Sequence, residues 1–526
     1  MCACALGESV LGCSNYQIEI PCLGPAAAPN LVSGMTYVRA SQIGCALDCD
    51  LATGRNKYKG GLATDDGPRI SQALAAASAT NPITLIIDGS ALVSGLFLPA
   101  GGYWNIAGLG CGTGFVIKTG TNNDGIHNGG PAAAIPNDPG PPVPPRGRSI
   151  SLRNFTINGN QGDGFNGDST TGNYRGIGMS TTPPNLWYFS INLMNLDEID
   201  IENLVIVNSP TYHIRLSNTG NVKLSGCIFK SMGTSTDGVH VDGPANDISI
   251  SNCNFTTGDD SIALNCPEGY SGDISRVTVS NCQFNSWSLM RLYTTVGNHK
   301  FNISDVTVSN CSGSLWESAF LIGLYPGANP NSIASLTVTS CNLSAPAIFA
   351  MAENFGTITL QNTTFVPEQT SPTLWQHVET NHACALMRPS PLYGDSVSLG
   401  SNLVIENCQI VRGSSLDLIP IILGNSSTIA NVTINGLSVQ KRPARELVDI
   451  LSGSIGQLVL DAVDAIDIEM PLSPGGFSNI GSVSGSGVLA TGWEFPDSVM
   501  ANGVPYISAS TGQPSIKVEG VVQAYP

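Results

Sequence analysis

Along most of this chain apolar and polar residues alternate in short runs, separated by clusters of Gly, Asn, Ser and Asp. In DISISNCNF (247–255), Ile248, Ile250 and Cys253 fall on one side and the intervening polar residues on the other. An alternation of period two is that of a β-strand. The pattern also repeats. LSGCIF (224–229), ISNCNF (250–255), VSNCQF (279–284), VSNCSG (308–313), VTSCNL (338–343) and IENCQI (405–410) align on their cysteines, spaced 26, 29, 29, 30 and 67 residues apart. The last gap holds about two repeats and a loop. Self-similarity at this period marks a solenoid.

Each unit holds two or three strands between turns, with no room for an amphipathic helix. The predicted fold is therefore all-β, a parallel β-helix in which equivalent residues stack about 4.8 Å apart from coil to coil. Cys227, Cys253, Cys282, Cys311, Cys341 and Cys408 are then expected as an inward ladder of free thiols that behave as small apolar groups. A short helix is expected within GLATDDGPRISQALAAAS (61–78), where Ile70, Leu74 and Ala77 share one face after Asp65 and Asp66. It would cap the open first coil, which is an exposed sheet edge. The Pro-rich stretch 129–147 reads as an excursion loop. Three segments follow: a Cys-rich N-terminal extension (1–58), the β-helix (59–470), and a C-terminal tail or cap (471–526) where the repeat is lost.

Composition agrees with a turn-rich, core-forming chain: 526 residues, 59 Gly, 33 Pro, 42% hydrophobic and only 12% charged. The net charge of −17 argues against a nucleic-acid partner, which needs clustered Lys and Arg. No apolar run approaches the roughly 20 residues of a membrane span. The N-terminus MCACALGESVLGCSN lacks the basic and long apolar regions of a signal peptide. Cys2, Cys4, Cys13, Cys22, Cys45 and Cys49 form an even set that suits a disulfide framework in an exported protein. The eight N-x-S/T sequons also suit β-helix turns.

The candidate chemistry lies in TDGVHVDG (236–243) and TGDDSIALN (257–265). Asp237 and the pair Asp259/Asp260 are 22 residues apart, close to one repeat, so they are expected on neighbouring coils at the start of one strand stack. Alternation would turn Val239, Val241, Ile262 and Leu264 inward. His240, Asp242, Asn265 and, from the next coil, Arg291 and Tyr293 would then face outward beside the aspartates and bind substrate. Carboxylates a few ångströms apart cannot all ionise easily, so one keeps a proton while another stays charged. Glycoside hydrolysis needs that division between an acid and a water-activating base.

These residues carry a resemblance. NSPTYHI (208–214), NVKLSGCIF (221–229), STDG (235–238) and GDDSIAL (258–264) are similar in order and spacing to the motifs of the polygalacturonase-type glycoside hydrolases, family twenty-eight. The resemblance implies a right-handed parallel β-helix. It also implies inverting hydrolysis of a polysaccharide, with Asp259 as general acid and Asp237 and Asp260 holding and activating water. It implies no metal and no other cofactor. The chain departs from the family pattern at Ser235 and Ser261. It reads SWSLM (286–290) and AFLIGLY (319–325) where the family has G-H-G and R-I-K. In the family R-I-K grips the galacturonate carboxylate, so without these motifs the expected substrate is a sugar other than plain polygalacturonate. The site of action would be extracellular or at the cell envelope. Whether the chain is a monomer or a trimer is left open by the sequence. Three other readings stay open: a polysaccharide lyase using Ca²⁺ held by the acidic residues, a non-catalytic carbohydrate-binding or adhesive β-helix, and a fructan-transferring enzyme.

Overall fold

The computed structural model describes residues 20–21, 34–118, 121, 123–129, 142–160, 188–231, 233, 235–296, 299–323, 332–368, 384–389, 399–411, 418–424, 427–439, 444–463, 468–472, 476–488, 491 and 493–525. The chain divides into two compact units, residues 1–272 with 372–376, and residues 273–371 with 377–526. Both are parallel β-helices, and the strands of each coil pair in parallel with the equivalent strands of the coils beside it.

In the first unit the parallel pairing begins at Thr36–Arg39, inside the N-terminal segment, which pairs with Ile83–Ile87. That strand in turn pairs with Trp104–Gly108. The coils that matter here step from Ile191–Leu196 to Ile214–Ser225, then Val239–Ser251, then Asp260–Asn265. Their register runs Ile191↔Ile214↔Val239↔Ile262, so one inward apolar position repeats from coil to coil. All four of these residues are fully buried. A helix, Gly67–Leu74, forms where the periodicity predicts one and buries Ile70 and Leu74. Asp66 does not cap it. Its carboxylate instead accepts the backbone N–H groups of Ala46 and Leu47 at 2.7 and 3.0 Å, fastening an earlier loop to the helix start.

The repeated S-N-C-x-F pattern has a local cause. Asn154, Asn203 and Asn252 in the first unit have φ of 60°, 53° and 54°, the left-handed conformation that lets one strand turn into the next. Asn and Gly tolerate it better than other residues. In the second unit Asn281, Asn310, Asn362 and Asn407 do the same at 54°, 53°, 50° and 50°. Gly226 takes this position in one coil at φ 64°, where a Cβ would stand 2.4 Å from Oδ1 of Asn203. The next residue then turns inward. Cys227, Cys253, Cys282, Cys311, Cys341 and Cys408 are all buried and carry reduced thiols. Each thiol donates back across the turn to the carbonyl two residues earlier, as in Cys253 to Ser251 at 3.1 Å and Cys311 to Ser309 at 3.2 Å. Two residues on, Phe229 and Phe255 stack with centroids 4.7 Å apart in the core. Burying each such ring stabilises the coil by roughly 1.5–3 kcal/mol.

In the second unit the parallel pairing continues to Ile480–Ser484. The segment 494–524 forms a separate four-stranded, mostly antiparallel sheet. The six-cysteine framework is not formed as a set: Cys45 and Cys49 are free and buried within the first coils. Cys2, Cys4, Cys13 and Cys22 lie outside the described residues, as do most of the Pro-rich stretch and the sequon at Asn425. Cys111 is disulfide-bonded. Among the described residues, no helix is long and apolar enough to cross a membrane.

Candidate active site

The step Val239↔Ile262 fixes the position of the aspartates. Asp237 stands two residues before Val239, and Asp260 two before Ile262, so they are equivalent positions on successive coils. The Gly238 N–H donates to the Asp260 carbonyl at 3.0 Å. Gly238 is required at this approach, because a Cβ would come within 2.5 Å of the Ser261 carbonyl and the Phe255 ring. Asp259 precedes the strand Asp260–Asn265. Its Oδ2 accepts the Ser235 N–H at 2.9 Å and its Oδ1 accepts the Asp260 N–H at 3.1 Å. Carboxylate oxygens of Asp237, Asp259 and Asp260 lie within 4.8 Å of one another. Asp237 and Asp260 are buried, and Asp259 alone of the three is partly exposed.

The outward residues behave differently from expectation. His240, Asp242 and Asn265 are 1%, 0% and 2% exposed, so alternation of side does not become alternation of exposure. The reason is the turn Cys266–Gly272, which folds back over this face. Glu268 on that turn accepts from His240 Nε2 at 2.8 Å and from Asn265 Nδ2 at 2.9 Å. Gly269 sits so close that a Cβ would meet Oγ of Ser217 at 2.1 Å and Oδ2 of Asp242 at 2.7 Å. The three side chains therefore form part of a buried polar network and not an open binding surface. Arg291 and Tyr293 lie in the second unit on Gln283–Tyr293, where Arg291 is half-buried. Tyr293 is fully buried, which removes it as a substrate contact on an open face. Trp287 is likewise buried.

The network holds residues that the sequence did not single out. Arg215, fully buried on the preceding coil, meets Asp242 Oδ2 at 2.5 Å. The register Arg215↔His240 places it there, a relationship visible only once the 25-residue coil step is known. Ser217 donates to the same carboxylate oxygen at 2.8 Å. Tyr212 stacks flat on His240 with centroids 3.8 Å apart. Glu268 lies in PEGYSG, a turn sequence whose only signal was a carboxylate three residues after a strand end.

The electrostatics follow from burial and these partners. Burial alone would lower the His240 pKa, but Glu268, Asp237 and Asp242 outweigh it and raise it well above the ordinary histidine value. Burial alone would raise the Asp242 pKa, but Arg215 and His240 hold it below the usual carboxylate value. Burial, aided by Glu268 and the neighbouring aspartates, raises the Tyr212 phenol well above its ordinary pKa. His213 is different. Its Nδ1 faces the Asp237 carbonyl at 2.7 Å, and burial takes its pKa down to about 4, so it stays neutral and structural. Among the described residues, two sets of side chains are close enough to hold a cation: Asp237, Asp259 and Asp260, and His240, Asp242 and Glu268.

Comparison with known proteins gives the following. Residues 146–320 match the model of Glycosyl hydrolases family 28, and over them the resemblance read from the sequence holds. No curated protein matches the chain. Among solved structures, the Yersinia enterocolitica Family 28 Exopolygalacturonase is 11% identical, with 81% of this chain and 78% of that one covered and a TM-score of 0.52. A mutant tailspike protein of an E. coli bacteriophage, in complex with pentasaccharide, is 12% identical over 85% and 80% of the two chains, TM-score 0.49. PfbA, a surface adhesin of Streptococcus pneumoniae, is 12% identical over 93% and 98%, TM-score 0.46. The exopolygalacturonase likeness shows a shared fold.

Proposed function

We propose that the protein is a polysaccharide-cleaving glycoside hydrolase whose reacting groups are Asp237, Asp259 and Asp260. The observation that carries this reading is the gathering of three carboxylates from two coils within 4.8 Å, two buried and one partly exposed. The match of residues 146–320 to a glycoside hydrolase family supports it. In this reading Asp259, the one carboxyl open to solvent, donates its proton to the leaving glycosidic oxygen. Asp237 and Asp260, stacked on successive coils, hold the attacking water and take its proton. The Ser235 and Asp260 N–H groups fix the orientation of the acid.

Their closest oxygens are nearer than the roughly 6.5–9.5 Å usual between the acid and base of an inverting pair. Inversion therefore rests on the family resemblance, and the anomeric configuration of the first product tests it. In this reading the substrate is a glycan other than plain polygalacturonate, because AFLIGLY (319–325) stands where the resemblance expects R-I-K, the motif that grips the galacturonate carboxylate. A polysaccharide substrate places the site of action outside the cell or at its envelope.

The test is product analysis on a polysaccharide panel, with wild type and Asp259→Asn in parallel, each with and without EDTA. Saturated reducing ends released by wild type and absent with the variant support the hydrolase. Unsaturated ends would make the protein a lyase. No release from any glycan, with both proteins binding one equally, would make it a binding scaffold.

A further inference from the structure

The acid site leaves a neighbouring set of groups unused. His240 stands at its centre, with Glu268 Oε2 at 2.8 Å and Asp242 Oδ1 at 3.2 Å from its Nε2. The Asn265 amide closes the fourth side, 3.4 Å from the same nitrogen. All four side chains are at least nine-tenths buried. One atom each of His240, Asp242 and Glu268 can be chosen so that all lie within 4.8 Å of one another.

Three features point to a ligand between them. The first is charge. Asp237, Asp242 and Glu268 surround one imidazole, and Arg215 is the guanidinium paired with them. With both ring N–H groups donating to carboxylates, the set still carries one uncompensated negative charge in a buried place, which is costly. A divalent ion that takes the place of the Nε2 proton cancels it. The second is unsatisfied oxygen. Oδ1 of Asn265 is buried and accepts no hydrogen bond, and Oδ1 of Asp242 has only its 3.2 Å contact with His240 Nε2, while Oδ2 of Asp242 is already held by Arg215 and Ser217. The third is orientation. Nδ1 of His240 faces Asp237 Oδ2 at 2.7 Å, so its Nε2 is the atom turned toward the cage. A carboxylate on the far ring nitrogen is the usual support of a metal-binding histidine.

We propose that His240 Nε2, Asp242 Oδ1 and Glu268 Oε2, with Asn265 Oδ1 as a fourth donor, bind a divalent first-row transition-metal ion of the Zn²⁺ type. Tetrahedral ligands about 2.0–2.1 Å from zinc stand about 3.3 Å apart. The separations of 2.8 and 3.2 Å about Nε2 need open only slightly to reach this. One imidazole with three oxygen donors favours such an ion over Mg²⁺, which prefers six oxygens. The Asn265 amide turns over to present its oxygen and gives up its 2.9 Å hydrogen bond to Glu268 Oε1 in doing so. The ion pins the turn Cys266–Gly272 to the coil beneath it. It goes beyond the expectation that the protein uses no metal, and it does not depend on the proposed hydrolase activity.

The experiment uses the full chain, stripped with a chelator and dialysed, then titrated with Zn²⁺ by calorimetry and with Co²⁺ by visible absorption. Circular dichroism and thermal melts check the fold of each protein. Wild type is expected to bind one equivalent. Glu268→Gln, which keeps the shape of the side chain, should weaken binding about 100-fold or more, since even outer partners of a metal ligand are worth about 10–100-fold. Asp259→Asn should bind as wild type does. The Co²⁺ spectrum should show ligand-field bands and no thiolate charge-transfer band. Folded wild type that binds no stoichiometric metal overturns the site. So does equal binding by Glu268→Gln, a thiolate band, or loss of binding in Asp259→Asn alone, which would move the ion to the aspartate trio.

Discussion

Asp237 and Asp260 occupy the same place on successive coils, each two residues before a buried apolar residue of the paired strands, with the Gly238 N–H donating to the Asp260 carbonyl at 3.0 Å. Their carboxylates are held by the fold before any substrate arrives. The register that buries Val239 and Ile262 fixes the backbone positions from which both carboxylates project.

If these two carboxylates share the water, Asp237→Asn and Asp260→Asn should each lower kcat by about 100-fold or more, within the usual range for removing a general base. KM should change by less than about threefold, because neither group is exposed enough to dominate sugar binding. Initial rates on the glycan identified by the panel decide this. A loss confined to KM would place the two aspartates in substrate binding instead.

The pair Arg215–Asp242 is fully buried at 2.5 Å. Removing one partner strands the other charge, so Asp242→Leu should destabilise the folded protein by about 3–5 kcal/mol. Adding Arg215→Met removes the stranded cation and should restore much of that loss. Urea denaturation of the two single variants and the double variant measures the coupling. Additive losses would mean that the two charges do not depend on each other.

Much of the fold was legible because its causes are local. The αL asparagine at positions such as Asn252, the inward Cys253 and the core Phe255 recur with the coil, so the repeat could be read from the string of residues. The aspartates were placed for the same reason: a step of about one coil brings Asp237 beside Asp260. Exposure was not legible. Alternation assigns His240, Asp242 and Asn265 to the outer side of their strands, but it carries no information about the turn Cys266–Gly272 that covers them. Arg215 escaped notice because its partner lies a full coil away and the coil length varies, 25 residues at Arg215↔His240 and 23 at His240↔Ala263. Glu268 escaped because it sits in a turn, where a carboxylate is ordinarily solvated.

The thiol ladder predicts chemical silence. Cys253 and Cys311 are 1% and 2% exposed, and each thiol donates inside its own turn. Neither should react with a thiol-specific alkylating reagent in the folded protein, and both should be labelled after unfolding in guanidinium. Peptide mapping reads each site separately. Rapid labelling of Cys253 in the folded state would show that this turn opens on its own.

Glu353 predicts a pH dependence in the second unit. It is fully buried, its Oε2 accepts from the Thr294 hydroxyl, and its Oε1 has no hydrogen-bond donor. Burial pushes its pKa up to about 7, against the smaller opposing pull of the Thr294 and Ser332 groups. The native state thus holds this proton at pH values where the unfolded chain, with an ordinary glutamate, has released it. Its contribution to stability is fully present below about pH 4.5 and is lost as pH rises through about 7, a total of about 3 kcal/mol. Glu353→Gln keeps the neutral shape and cannot ionise. The stability difference, wild type minus variant, should therefore fall by about that amount between pH 4 and pH 8. Denaturation curves taken across this range give the difference directly, and one that stays constant would show that Glu353 titrates in the folded protein as it does in the unfolded chain.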